Sequence, residues 1–160
     1  DYDSYTLKQK DISIGLNMLF WNLQGNRMQK FIDRFDNGFT GFNLEDKKII
    51  SYYNKKINNF LRENTLFSGT VTIGGNPVKI CSIMADFCIN EIAQAMIQLT
   101  DSEVAIVVNP KTMSVSFRRK PNSTFNVGKL AAKLADGGGH PSAAGGKITE
   151  DFLNFTKILK

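Results

Sequence analysis

The chain contains 160 residues, which is enough for one ordinary domain, or a small domain with part of another, but not for a multidomain enzyme. With 42% hydrophobic and 22% charged residues it belongs among packed globular proteins, so disordered and collagen-like classes are excluded. Its single histidine, His140, and two cysteines, Cys81 and Cys88, argue against a zinc site or a disulfide scaffold and exclude chemistry that needs several imidazoles.

Charge, cysteine content and the length of the apolar segments limit which partners and which cellular compartment are expected. The net charge of +5 suits a phosphate-bearing partner without requiring one. Cys81 and Cys88 lie in or beside apolar runs, which predicts reduced, buried thiols and a cytoplasmic location. No apolar stretch approaches the roughly 20 residues that cross a bilayer, so we expect a soluble protein with no membrane partner.

Residues 1–63 are predicted to be helical. Apolar spacing indicates helices at 12–23 and 28–35, and a longer helix that begins near Asn43 or Leu44. Acidic residues in the first turn of this third helix complement its dipole. The helix face opposite its apolar stripe is typical of a solvated surface, or of a helix that links two domains, and carries Lys47, Lys48, Lys55, Asn58 and Arg62.

From Asn64 onward the pattern changes to strands that alternate with helices. Two strands at 67–73 and 77–84 are predicted to pair as a hairpin around a Gly-Gly-Asn turn. They are followed by a helix at 89–99, a buried strand at 104–108 and an alternating strand at 112–118. This order predicts an α/β (α+β) fold, a mixed β-sheet flanked by helices and preceded by an N-terminal helical segment and linker helix.

The strand at 112–118 is predicted to have an apolar face and a polar face, because side chains alternate along a strand. The apolar face would carry Met113, Val115 and Phe117, and the polar face Ser114, Ser116 and Arg118. After it we predict an amphipathic helix at 127–134, a strand at 147–148, and a terminal helix that carries Phe152, Phe155 and Ile158.

The segment that follows the amphipathic helix, DGGGHPSAAGG, departs from what packing alone requires. Either Gly137 caps the helix and the other glycines form a turn, or Gly137, Gly138 and Gly139 let a phosphate approach backbone N–H groups arranged as a nest. His140 would donate a hydrogen bond to that phosphate, and Pro141 would begin a short helical turn. We predict a phosphate-binding loop.

Arg118 is the second candidate ligand of this phosphate, because its guanidinium offers a planar fork of donors at the end of the polar strand face. Arg119 should point to the opposite face. We find no Walker loop, no cluster spaced for two metals and no Ser-His-Asp set, so no catalytic or metal-binding residue is predicted. The aspartates fit capping or solvated roles and are scattered at Asp33, Asp36, Asp46 and Asp86.

The run SFRRK, followed by FNVGKLAAKLADGGGHPSAAGG, resembles the C-terminal DHH-associated (DHHA1-type) domain of the DHH phosphoesterases. That family includes RecJ-like exonucleases, nano-RNases, cyclic-dinucleotide phosphodiesterases and exopolyphosphatase-like proteins. The resemblance is specific over 114–146 and extends in layout from about Asn64 to the end. It implies that Gly137, Gly138, Gly139 and His140 match the family's phosphate-binding loop, with Arg118 the arginine that assists it. Many relatives have a fourth glycine where this chain has Asp136.

The resemblance also implies a division of the chain and a missing partner domain. Residues 1–63 would be the last part of a catalytic domain with the interdomain linker helix, and residues 64–160 the substrate-binding domain. The paired-histidine motif that holds manganese in such enzymes needs a second histidine, so manganese is expected in a catalytic domain outside this sequence and no cofactor in this chain. Because the chain begins at Asp1 and not at Met, we expect a piece of a longer protein.

These residues predict the substrate-binding portion of a metal-dependent phosphoesterase that acts on short oligonucleotides or nucleotides, the chain alone lacking the catalytic motifs. The expected partners are a short single-stranded nucleic acid or nucleotide, and the N-terminal DHH catalytic domain. Two alternatives stay open, a non-catalytic nucleic-acid-binding module and a domain associated with alanyl-tRNA synthetases. The exact substrate, the direction of digestion and the formation of a homodimer are also open.

Overall fold

The computed structural model describes residues 7–157, which contain six helices and a six-stranded sheet. The helices are α1 (Leu7–Asn22), α2 (Arg27–Phe35), α3 (Leu44–Glu63), α4 (Ile89–Thr100), α5 (Val127–Leu134) and α6 (Glu150–Thr156). The strands are β1 (Phe67–Ile73), β2 (Asn76–Met84), β3 (Val104–Asn109), β4 (Ser114–Arg119), β5 (Gly138–His140) and β6 (Ala143–Lys147). Within the described part, no helix is both long enough and apolar enough to cross a membrane.

The chain divides into two compact units between Asn59 and Phe60, within α3. The first contains α1, α2 and most of α3, and the second contains the end of α3, the whole sheet and helices α4 to α6. The division lies shortly before Asn64, where the composition of the sequence changes. The fold class is confirmed, because helices flank a mixed sheet and a helical segment precedes it.

In the first unit, the start of α3 is fixed by a reciprocal pair of side-chain bonds. The Asp46 backbone N–H donates to Asn43 Oδ1, and the Asn43 backbone N–H donates to Asp46 Oδ2, both at 2.9 Å. This is a capping box, which satisfies two N–H groups that the helix itself leaves unpaired. Arg34 of α2 also donates to the buried Asp46 carboxylate, so one acidic side chain both caps α3 and joins it to α2.

The six strands lie in the order β1-β2-β3-β4-β6-β5. Only β2 and β3 run parallel, and they are joined by α4, so β2-α4-β3 is a crossover unit inside an otherwise antiparallel sheet. The β1–β2 hairpin turns at Gly74 and Gly75, with φ values of 58° and 82°. A two-residue turn with both φ values positive strongly favours glycine, which explains the pair that the sequence shows there.

The main core lies on the sheet face covered by α5 and α6. Its strand residues include Ile80, Ile106 and Phe117, and Phe117 meets Phe152 of α6 edge to face, with 6.2 Å between ring centroids. The predicted stripe of α5 is confirmed as core and comprises Val127, Leu130, Ala131 and Leu134. The other sheet face is covered over β2, β3 and β4 by α4, through Ile92, Ala93 and Met96.

Two local predictions for this unit are wrong and one falls outside the described residues. Met113 has a φ of 52° and is 58% exposed, so it belongs to the turn before β4 and not to the apolar face with Val115 and Phe117. The strand predicted at 147–148 is instead β6, Ala143–Lys147. Phe152 is buried in the terminal helix as predicted, whereas Ile158 lies outside the described residues.

Neither cysteine forms a disulfide, and their environments differ. Cys81 is completely buried in β2, and burial raises the pKa of its thiol, whereas Cys88 is only half-buried. Because the thiolate is the reactive form, we expect a thiol reagent such as Ellman's reagent to modify Cys88 in the native protein and Cys81 only after unfolding. Counting the released thionitrobenzoate before and after adding denaturant checks this, and the Cys88→Ser variant should lose the native-state reaction.

Candidate phosphate-binding site

Three neighbouring strands bring the two predicted phosphate ligands onto one face of the sheet. His140 of β5 pairs with Ala143 of β6, and Ala143 in turn pairs with Arg118 of β4. Residues paired directly across strands point to the same face, and two strand spacings separate the Cα atoms of His140 and Arg118 by about 10 Å. Between them lies Ala143, a small residue. This row is the face on which α4 packs, and His140 is exposed at its edge.

The glycine segment is an extended hairpin, and this corrects two predicted details. Gly138, Gly139 and His140 form β5, which pairs with β6, so successive N–H groups alternate along the strand and do not converge as a nest. Pro141 and Ser142 form the turn between the strands, where we predicted the first turn of a helix. Only two residues separate His140 from Ala143 in the sequence. Because these two residues pair across strands, the chain must reverse direction between them, which makes the segment a hairpin.

The structural reasons for having glycine differ among the three consecutive positions. A Cβ atom at Gly137 would lie 2.0 Å from the Gly145 carbonyl oxygen, and one at Gly139 would lie 2.6 Å from that of Ala143. Gly139 also has a φ of 145°, which favours glycine. A Cβ atom at Gly138, in contrast, would meet nothing within 4 Å. The hairpin therefore requires Gly137 and Gly139, whereas packing gives no reason for Gly138.

The residue before the glycines, Asp136, takes the left-handed conformation that ends α5. Its φ is 45°, while the helix itself ends at Leu134 and its C-cap is Ala135. Thus Gly137 is not the cap that the alternative interpretation proposed. A left-handed residue at this point is usually glycine, which gives a physical reason for the fourth glycine found in many proteins that the sequence resembles.

His140 is held by the turn residue Ser142. The Ser142 backbone N–H donates to His140 Nδ1 at 3.3 Å, and the Ser142 hydroxyl lies 2.7 Å from the same nitrogen. A ring nitrogen that accepts a backbone N–H carries no proton itself, so the neutral ring has its proton on Nε2. In this tautomer Nε2–H is a hydrogen-bond donor on an exposed side chain.

The Arg118 guanidinium is fixed by bonds to both neighbouring elements. Its Nη1 donates to the Phe117 carbonyl at 2.9 Å and to the Ala144 carbonyl of β6 at 3.4 Å. Its Nη2 donates to Asn90 Oδ1 at the start of α4. Arg119 donates instead to the Phe125 carbonyl at 3.4 Å, and Phe125 packs against the main core on the other side of the sheet. Alternation along β4 thus separates the two arginines.

A phosphate in contact with both His140 and Arg118 would lie over the small residues of β6 and β5. Gly138 pairs with Gly145, and Gly145 pairs with Ser116 of the polar β4 face, so the open side of Gly138 belongs to the same sheet face as Arg118. In residues 7–157 there is no group of three or more His, Cys, Asp or Glu side chains that could hold a metal ion. The arrangement supplies donors for an anion and a space for it.

The sequence model of the DHHA1 domain matches residues 70–160 of this chain. The chain belongs to the DHHA1 domain family. This domain is associated with DHH-family phosphoesterases, as the sequence resemblance predicted. No curated protein matches the chain significantly in sequence. The DHHA1 match includes Arg118, the three glycines and His140.

Three solved structures resemble this chain, and each has low sequence identity to it. An uncharacterised protein from Helicobacter pylori G27 matches with a TM-score of 0.47, 21% identity and coverage of 77% of this chain and 36% of that one. An exopolyphosphatase-related protein from Bacteroides fragilis matches with a TM-score of 0.47 and 15% identity, and the match covers 85% of this chain and 43% of that one. The pGpG-specific phosphodiesterase PggH from Vibrio cholerae matches with a TM-score of 0.47 and 14% identity, and the match covers 88% of this chain and 51% of that one. The chain thus spans about half or less of each.

Two DHHA1-domain residues beside the predicted ligands were missed from the sequence. Asn90 was assigned only to a helix, and nothing in INEIAQAMIQL indicates that its side chain contacts Arg118 of β4. Ser142 carried a weak signal, because it lies two residues after His140 and serine commonly bonds to nearby groups in tight turns. Both form hydrogen bonds with a predicted ligand, and these bonds depend on the fold and not on the local sequence.

Proposed function

We propose that this chain is the substrate-binding portion of a metal-dependent DHH phosphoesterase that acts on short oligonucleotides or nucleotides. The observation that carries the proposal is the row across β4, β6 and β5, which gives Arg118 and His140 a common face beside the open side of Gly138. Membership of the DHHA1 family supports it. The phosphate of the substrate would lie over Gly138, with the guanidinium and the imidazole as its donors.

The proposed division of labour assigns recognition to this chain and phosphorus chemistry to another domain. Manganese in a DHH domain would supply the activated water. The residues described here do not fit that ion, since they include no suitable cluster of ligands. Their part is to bind: Arg118 would neutralise phosphate charge through a fork of N–H groups, and His140 Nε2–H would fix its orientation.

Titration with a 5′-phosphorylated dinucleotide tests the proposal. We expect saturable binding by the 160-residue chain, and a loss of roughly 10- to 100-fold in affinity for Arg118→Ala and for His140→Ala, because each variant removes a charge-assisted or polar contact with phosphate. Arg119→Ala is the matched control, since Arg119 lies on the opposite face and should leave the affinity unchanged. Isothermal titration calorimetry measures all four proteins.

The same titrations separate the proposal from its alternatives. Affinity that grows steadily with oligonucleotide length and falls steeply with salt would favour a non-catalytic nucleic-acid-binding module. Preference for folded tRNA over short single strands would favour the tRNA-associated alternative. Hydrolysis of the dinucleotide by this chain with manganese added would contradict the division of labour, whereas preference for two to five nucleotides without hydrolysis supports it.

A further inference from the structure

Asn90 of α4 is joined to the candidate site by a side-chain hydrogen bond. It lies in the first turn of α4, is half-buried, and its Oδ1 accepts from Arg118 Nη2. Arginine only donates hydrogen bonds, so the chemistry of the pair requires the oxygen of the carboxamide to face Arg118. The contact links the helix that covers this sheet face to the predicted phosphate ligand.

We propose that Asn90 is a positioning residue for phosphate recognition, which orients the Arg118 guanidinium without neutralising its charge. This inference rests on the proposed function. The carbonyls of Phe117 and Ala144 hold Nη1 from the sheet, and Asn90 holds Nη2 from the helix, so the plane of the guanidinium is defined from two sides. A fixed plane reduces the side-chain entropy that is lost when a phosphate binds.

The neutral amide is the important feature of this position. A carboxylate in its place would accept the same hydrogen bond but would pair with the positive charge of Arg118 and compete with the phosphate. An aspartate is also well tolerated in the first turn of a helix, because it complements the helix dipole. Asn90→Asp should therefore keep the fold and the contact while its negative charge weakens the attraction of Arg118 for the ligand.

Three variants test the inference with the 5′-phosphorylated dinucleotide as probe. We expect Asn90→Asp to weaken binding by at least tenfold, with a melting temperature no lower than that of the wild type. The slope of log Kd against log salt should also fall, because the carboxylate offsets one positive charge at the site. Asn90→Ala should weaken binding about fivefold with the slope unchanged, and Gln94→Ala, later in α4, should change neither.

Arg118→Ala provides the decisive background. If Asn90 acts through Arg118, then Asn90→Ala should have no further effect on affinity when Arg118 is already alanine. A full effect of Asn90→Ala in that background would overturn the positioning role, as would wild-type affinity in both single variants. If either result occurs while Arg118→Ala still weakens binding, the proposed function survives and this inference fails. A wild-type chain that binds no dinucleotide overturns both.

Discussion

Gly138→Val should reduce dinucleotide binding by more than 100-fold while the chain remains folded. The open side of Gly138 lies on the face that carries Arg118, and the added side chain would occupy the space proposed for the phosphate. Valine suits an extended backbone, and a Cβ atom at this position meets nothing within 4 Å, so the hairpin itself accepts the change. Calorimetric titration measures the loss, and circular dichroism with a thermal melt measures the fold.

Two other glycines make this prediction specific. Gly69→Val places the same side chain on β1, where a Cβ atom also meets nothing within 4 Å, and should leave both fold and binding unchanged. Gly137→Val should instead destabilise the sheet, because its Cβ atom would lie 2.0 Å from the Gly145 carbonyl oxygen. Wild-type affinity in Gly138→Val would show that the phosphate does not lie over β5.

Much of the fold could be predicted because its elements have strong local signals. The hairpin β1–β2 was predicted from its glycine turn, and the apolar run at 104–108 indicated a buried strand that became the centre of the sheet. Periodicity placed α5 and its buried stripe correctly. Met113 was misplaced because a pattern of alternation does not show where a strand begins, and its positive φ is a property of the turn.

The glycine segment shows what a motif leaves undetermined. The sequence indicated a site at Gly137–His140, but the same residues are compatible with a nest, a helical turn or an extended hairpin. The choice depends on β6, since strand pairing with Ala143 and Gly145 makes the segment extended. Likewise, no local signal could show that Asn90 meets Arg118, because the two are 28 residues apart and the sheet brings them together.

Arg34→Met should destabilise the first unit by about 3 kcal/mol. It leaves the Asp46 carboxylate, which is only 1% exposed, without its ion-pair partner, and removing one member of a buried pair costs several kcal/mol. We take the lower end of that range because the Arg34 side chain is 34% exposed. Trp21 is the only tryptophan, belongs to α1 and stacks on Arg27, so its fluorescence reports denaturant unfolding of this unit.

The double variant Arg34→Met with Asp46→Ser separates the cost of the unpaired charge from that of the lost contact. Serine removes the buried charge, and the backbone N–H of that position still donates to the Asn43 cap, so the double variant should recover most of the lost stability. Lys48→Met, on the exposed surface of α3, is the matched control and should change stability by less than about 0.5 kcal/mol. If the double variant is no more stable than Arg34→Met, the buried carboxylate is not the source of the instability.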